Sequence, residues 1–452
     1  MKEIKILSPC GMLGYGFPAS SFMKGLEEEL HGIVVDAGST DAGPHKLGAG
    51  VSIVSKRALR KDLELIVTNG VAGKIPVIIG SAGGAGAKPH VESTIEIIQE
   101  ILKDHSLKAK IAVIWADFSQ ETIIEANRSN RIQPLTANIP PLTEETIKES
   151  INIVAQMGHE PILEALENGS DIIICGRAYD PSPFAAIGIY HQKDPGLSYH
   201  LGKILECGAL CAEPGTTKDS ILGTIKEDSF TVQSLNPQRK CTPISVAAHT
   251  FYEKEHPYLL HGPGFTLDLS ACEFQEISEG VVEVTNSRLI PSEKTFIKLE
   301  GAKKAAYRTF VIAGVRDPIL IDNIEEIEHR VKEQTAEYYS EINPEDYQVN
   351  FFNYGMNAVL GSKEKAPFNG HEIGVMFEVI AKTQELANSI CATVRSTFLH
   401  FGYEKRKSTA GNLAFPFAPS DIEFGPVYEF SIYHLMEIDE SPFQIEYLEE
   451  GD

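Results

Sequence analysis

The strongest constraint on this chain is a repeat of short, almost wholly apolar segments within residues 1–180, each followed by a stretch with helical spacing. The five segments are Ile4–Leu7, Ile33–Val35, Pro76–Ile79, Ile111–Trp115 and Asp171–Cys175. A strand that is apolar on both sides must be covered on both sides, as in a parallel sheet clad with helices. Between the segments, Val91, Ile95, Ile98 and Leu102 share one helical face behind Pro89, and Ile147, Ile151, Val154, Ile162 and Leu163 predict a longer helical region. The pattern predicts an α/β fold with a Rossmann-like, doubly wound, mainly parallel sheet.

The texture changes after about residue 215. Val281–Thr285, Thr295–Leu299, Ala306–Ala313, Tyr347–Phe352 and Glu372–Ile380 alternate as half-buried antiparallel strands do, with helices expected at Asn323–Tyr339 and Lys382–His400. We therefore expect two domains. Residues 1–280 form the Rossmann-like domain, whose glycine-rich loops carry the site, and residues 281–452 form a smaller α+β domain suited to oligomerisation or to covering the site. The acidic end, Glu437–Asp452, reads as a solvated tail.

Composition narrows the partners. Forty Lys and Arg stand against 63 Asp and Glu, a net charge of −23, so nucleic acid is not an expected partner. No stretch approaches the roughly 18 apolar residues that span a bilayer, and the N-terminus lacks the sections of a signal peptide. Seven scattered cysteines fit reduced thiols, with the Cys207/Cys211 pair open to a metal or redox role only if a second pair accompanied it. These features predict a cytoplasmic protein that acts on a small molecule and is not integral to a membrane, and they assign no metal site. An anionic ligand would need local help from helix N-termini or particular basic side chains.

In an open parallel sheet the ligand lies beyond the carboxyl ends of the strands, and four such loops are unusual here. The first, Ser8–Pro18, offers the amides of Gly11 and Gly14 to an anion, or is simply a tight βα turn. Its spacing is not G-x-G-x-x-G, and Asp36 only approximates the acidic partner of a dinucleotide ribose, so no nicotinamide or flavin cofactor is expected. The second, Asp36–His45, gathers Asp36, Ser39, Thr40 and Asp41, which can supply a general base, substrate hydrogen bonds or metal ligands, or form a solvated turn. The third, Gly80-Ser81-Ala82-Gly83-Gly84-Ala85-Gly86, either exposes a row of N–H donors for a phosphate, carboxylate or enolate, or permits close backbone packing. In the fourth, Gly176–Ser182, Arg177 can fork onto an anion, while Asp180 either binds substrate or caps the next helix. His90, His159, His200, His249 and His261 lack ligand spacing and read as structural or surface residues.

Val-Asp-Ala-Gly-Ser-Thr-Asp at 35–41, Gly-Arg-Ala-Tyr-Asp at 176–180, Glu206-Cys207-Gly208-Ala209 and Glu372-Ile373-Gly374-Val375 together resemble the acyclic terpene utilisation (AtuA-type) family, over nearly the whole chain. The resemblance implies a cytosolic bacterial catabolic protein, of a kind associated with citronellol- and geraniol-type acids handled as CoA thioesters, so that CoA enters as part of the substrate. The chain departs from the family where a Gly-Thr-Gly-Gly-like stretch gives way to Asn236-Pro237-Gln238-Arg239-Lys240-Cys241, which points to an altered ligand.

The expected function is a lyase or hydratase acting on a small carboxylic acid or its CoA thioester. Asp36 or Asp41 moves the proton, the glycine loops with Gly80, Ser81, Gly83 and Gly84 stabilise enolate charge, and Arg177 holds a carboxylate. The alternatives are a noncatalytic, ligand-binding partner in a catabolic complex and a nucleotide-dependent oxidoreductase. A homo-oligomer is the expected assembly.

Overall fold

In the computed structural model, which describes residues 3–252, 256–407 and 410–450, all five apolar segments are strands of one sheet. Four of them are β1 (Ile4–Ser8), β2 (Gly32–Asp36), β3 (Val77–Gly80) and β4 (Ala109–Ile114); the fifth is Ile172–Cys175. They run parallel in the order β1, β2, β3, Ile172–Cys175, β4. Their side chains are almost all buried, and cores form on both faces, one around Ile6, Val34, Ile78 and Ile173, the other around Leu7, Ile33, Val35 and Ile79. This is the burial that their unbroken apolar character requires.

The sheet is mixed rather than mainly parallel. Five antiparallel strands flank the parallel core, with Ile221–Ile225 on β1, followed outward by Ser229–Ser234, Val281–Thr285 and Glu273–Ser278, and with Ile445–Glu450 on β4. The fold class is thus mixed α/β with a large mixed sheet, and its strand order is not the 3-2-1-4-5-6 of dinucleotide-binding folds.

Three local expectations are corrected. The helical region expected from Ile147 to Leu163 is interrupted by a strand, Asn152–Ala155, whose β-branched Ile153 and Val154 pair antiparallel with Leu299–Ala302. Residues 295–315 form one strand where two were expected. The acidic end is not a free tail over its described length: Ile445, Tyr447 and Leu448 pack on the cores while Ile445–Glu450 closes the β4 edge.

The chain divides into two compact units, residues 1–303 with 430–452, and residues 304–429. The division drawn near 280 from texture differs from this one, because Val281–Thr285 joins the first sheet and the C-terminal segment returns to it. In the second unit Ile373–Ala381 pairs antiparallel with Tyr347–Tyr354 and with Tyr307–Val315, and helices Ile324–Tyr338 and Gln384–His400 contribute Ile327, Val331, Ile390, Val394 and Phe398 to its core. All loops considered below belong to the first unit.

Candidate active site at the carboxyl edge of the sheet

Parallel strands deliver their C-terminal loops to one edge, and here β2, β3 and Ile172–Cys175 are immediate neighbours. Asp36 ends β2 opposite Gly80 at the end of β3, so close that a Cβ on Gly80 would lie 3.3 Å from the Asp36 carboxylate oxygen Oδ1. A carboxyl at this position is buried, with only 6% of the residue exposed. Its Oδ2 accepts from the Gly38 amide at 3.1 Å, and its Oδ1 has no hydrogen-bond partner. Desolvation, with Asp180 and Glu206 adding like charge and Arg177 partly opposing them, raises the Asp36 pKa well above the usual carboxylate range.

Arg177 lies beside this carboxyl as the centre of a buried ion-pair network. Its Nε donates to Glu300 Oε2 at 2.8 Å, and its Nη1 reaches Asp180 Oδ1 at 2.7 Å and Ser81 Oγ at 3.0 Å. Glu300 is fully buried and also receives Lys298 at 3.1 Å and Gln156 at 3.0 Å. Burial works against its charge, but Arg177 and Lys298 outweigh that and hold the Glu300 carboxyl down at about 2. Arg177 is therefore not a free fork awaiting a carboxylate: carboxylates of the protein already hold it on both flanks.

On the other side, Lys203 and Glu206 at the end of helix Pro195–Leu205 form a second buried pair, 2.5 Å apart. Burial opposes the Lys203 charge, yet Glu206 keeps its pKa raised. His249, on helix Pro243–Thr250, is desolvated next to Lys203, and its pKa falls to about 4, which leaves it neutral. Tyr179 packs its ring near Tyr199 and Phe265, 6.2 Å between centroids in each case, and its hydroxyl is buried without a partner. Burial first, and then Glu206, raise the Tyr179 pKa well above normal, so the hydroxyl keeps its proton.

The structure brings Asp36, Gly80, Ser81, Arg177 and Asp180 together from among the expected residues. Thr40 is buried on the same loop, its Oγ1 also unpartnered. Asp41 is exposed and bound to its own loop, accepting from Ser39 Oγ at 2.8 Å while its amide donates back to Ser39. Asp180 pairs with Arg177 instead of capping helix Ser182–Tyr190.

The glycine loops are packed from within. A Cβ on Gly84 would lie 2.2 Å from Ile53, and one on Gly86 2.1 Å from the Arg177 amide nitrogen. Gly83 abuts His90 and Ser52, and Gly11 abuts the Cys207 backbone. The amides of Ala82, Gly84 and Gly86 donate to Cys175, Ser81 and Ala82 carbonyls, so close backbone packing describes the Gly80–Gly86 loop. In the first loop, Gly14 and Gly16 take positive φ and donate to Asp62 Oδ2 at 2.8 and 3.0 Å, so the anion in that nest is the protein's own.

Sequence reasoning passed over Glu206, Lys203, Tyr179, Lys298 and Glu300, and read His249 as a structural or surface residue. Tyr179 and Glu206 stand inside the motifs that carry the family resemblance, which was the available signal. Among the described residues, no group of three His, Cys, Asp or Glu side chains is arranged to hold a metal. No helix is long and apolar enough to cross a membrane among those residues.

Fold and site define a mixed α/β protein with a buried cluster of ionisable side chains at the carboxyl edge of its parallel strands. The chain belongs to the acyclic terpene utilisation family, AtuA, whose model matches residues 55–401. Neither the curated proteins nor the solved structures give a match.

Proposed function

We propose that the chain is a cytoplasmic catabolic enzyme that performs lyase- or hydratase-type acid–base chemistry on a small carboxylic acid or its CoA thioester, with Asp36 as the proton-carrying residue. The observation that carries this reading is the unpartnered, buried Oδ1 of Asp36 among Asp180, Glu206 and Arg177. A folded protein seldom leaves such an oxygen unsatisfied without a use for it, and a carboxyl whose pKa is raised above the usual carboxylate range is suited to give and take protons. Protonated, Asp36 donates to an oxygen on which negative charge develops; ionised, it accepts a proton from the neighbouring carbon.

Arg177 and Glu300 contribute by fixing the loop that carries Asp180 and Tyr179, and the rings of Tyr179, Tyr199 and Phe265 supply apolar surface alongside. The family's association with terpene utilisation supports catabolism. A nucleotide-dependent oxidoreductase is less well supported, since the first glycine loop directs Gly14 and Gly16 at Asp62 rather than at a pyrophosphate.

Incubation with candidate acids and acyl thioesters in deuterated water tests the proposal. Mass spectrometry should detect exchange at the carbon next to the carbonyl, lost in Asp36→Asn. A ligand that stabilises the protein but neither reacts nor exchanges would favour the noncatalytic binding role instead.

A further inference from the structure

Each cation of the cluster already has an acidic partner. Arg177 is held by Glu300 and Asp180 at 2.8 and 2.7 Å, Lys298 by Glu300 at 3.1 Å, and Lys203 by Glu206 at 2.5 Å. With Asp36 protonated, the carboxylates of Asp180, Glu300 and Glu206 stand against the three cations Arg177, Lys298 and Lys203, so an incoming carboxylate finds each of these cations already paired and no uncommitted positive charge among these residues. Burying an anion in such surroundings is strongly unfavourable. The polar atoms without partners are of another kind. Asp36 Oδ1 and the Tyr179 hydroxyl are buried near the same two carboxylates, Asp180 and Glu206, and Thr40 Oγ1 lies on the Asp36 loop. As hydroxyl groups, Tyr179, Thr40 and protonated Asp36 are donors seeking an acceptor.

We infer that the part of the ligand entering this cluster is uncharged and offers a carbonyl-type acceptor, as an ester, thioester or amide does, and is not a free carboxylate. This rests on the proposed reading of the cluster as an acid–base site and selects between the two substrate classes that reading leaves open. A negatively charged remainder, such as the nucleotide of a CoA thioester, would stay outside the cluster. The carbonyl oxygen accepts from Asp36 or Tyr179, and Arg177 remains in its internal pairs throughout.

The test is a thermal-shift titration of the full chain with matched series: straight-chain acids from butyrate to octanoate, and the same acyl groups as N-acetylcysteamine thioesters, which lack the charges of CoA. The thioesters should raise the melting temperature in a concentration-dependent way, with binding at least about tenfold tighter than the corresponding acids. Asp180→Asn, which removes one carboxylate from Arg177, should narrow that preference by admitting the acid. Acids that bind the wild-type protein as tightly as their thioesters would overturn the inference while leaving the acid–base site in place. Failure of both series to bind would instead overturn the reading of the cluster as a site for small acyl ligands, and with it the inference. If Asp180→Asn does not fold, the wild-type comparison still decides.

Discussion

Asp36 and Asp62 are both buried aspartates close to glycine-rich loops, and both have raised pKa values with desolvation as the first cause, yet their surroundings differ in kind. Asp62 receives two backbone amides on one oxygen, the arrangement of a structural anion in a nest. Asp36 receives one amide, keeps an oxygen without a partner, and faces Asp180 and Glu206. The difference separates an internal brace from a carboxyl with an oxygen left open, the feature on which the proposed function rests. It also bears on the glycine loops, whose described contacts are largely with the protein itself, while the unpartnered polar atoms belong to side chains beside them.

The comparison is broken most severely at Asp36. Asp36→Asn keeps the shape and should reduce turnover by ~10²–10⁴-fold, measured on whichever acyl ligand exchanges deuterium. Stability at neutral pH should hold or rise. A carboxyl with a raised folded pKa takes up a proton on folding, and so weakens the fold as pH climbs from its unfolded value toward its folded one. Next in size is Glu300→Ala, which strips Arg177 and Lys298 of their shared partner and should cost about 3–5 kcal/mol in denaturant melts, because it leaves buried positive charge. Asp62→Ala orphans the Gly14 and Gly16 amides and should cost about 2–4 kcal/mol, with activity per folded molecule unchanged.

A smaller effect sharpens the contrast through pH. Asp117, mainly by desolvation and despite the Lys88 amide that it accepts at 2.9 Å, has its pKa raised to about 6. Its contribution is fully present below pH of about 4 and is lost as pH rises toward 6. Asp117→Asn should flatten the stability profile across that window by roughly 1–2 kcal/mol, allowing for its partial exposure. Smallest of all should be Asp41→Asn. Its side chain is exposed and bound only to Ser39 in the described contacts, so stability should move by less than about 0.5 kcal/mol and turnover by less than Asp36→Asn causes.

The strands that position the site were legible because burial on two faces leaves a plain mark in the sequence: Val34, Val35, Ile78, Ile79 and Ile173 have no polar alternation to confuse the reading. Asp36 and Arg177 were legible for a related reason, since each follows such a strand. Glu300 was not. It lies 123 positions from Arg177 along the chain, in Lys-Leu-Glu-Gly, where a charged residue in an alternating strand reads as solvent-facing. Its burial depends on pairing with Asn152–Ala155, a strand hidden by spacing that also suits a helix. The arrangement of Asp41 was not legible for the opposite reason: a polar loop looks equally rich whether its groups face outward or, like Asp41 and Ser39, each other.

Infrared difference spectroscopy of wild-type protein against Asp36→Asn at neutral pH tests the central claim without a known substrate. A protonated-carboxyl stretch present in the wild type and missing from the variant is the predicted result, because burial and the neighbouring Asp180 and Glu206 favour the protonated form of Asp36. A difference spectrum showing only the loss of an ionised carboxylate would contradict the account, placing Asp36 with the ordinary charged residues of the fold.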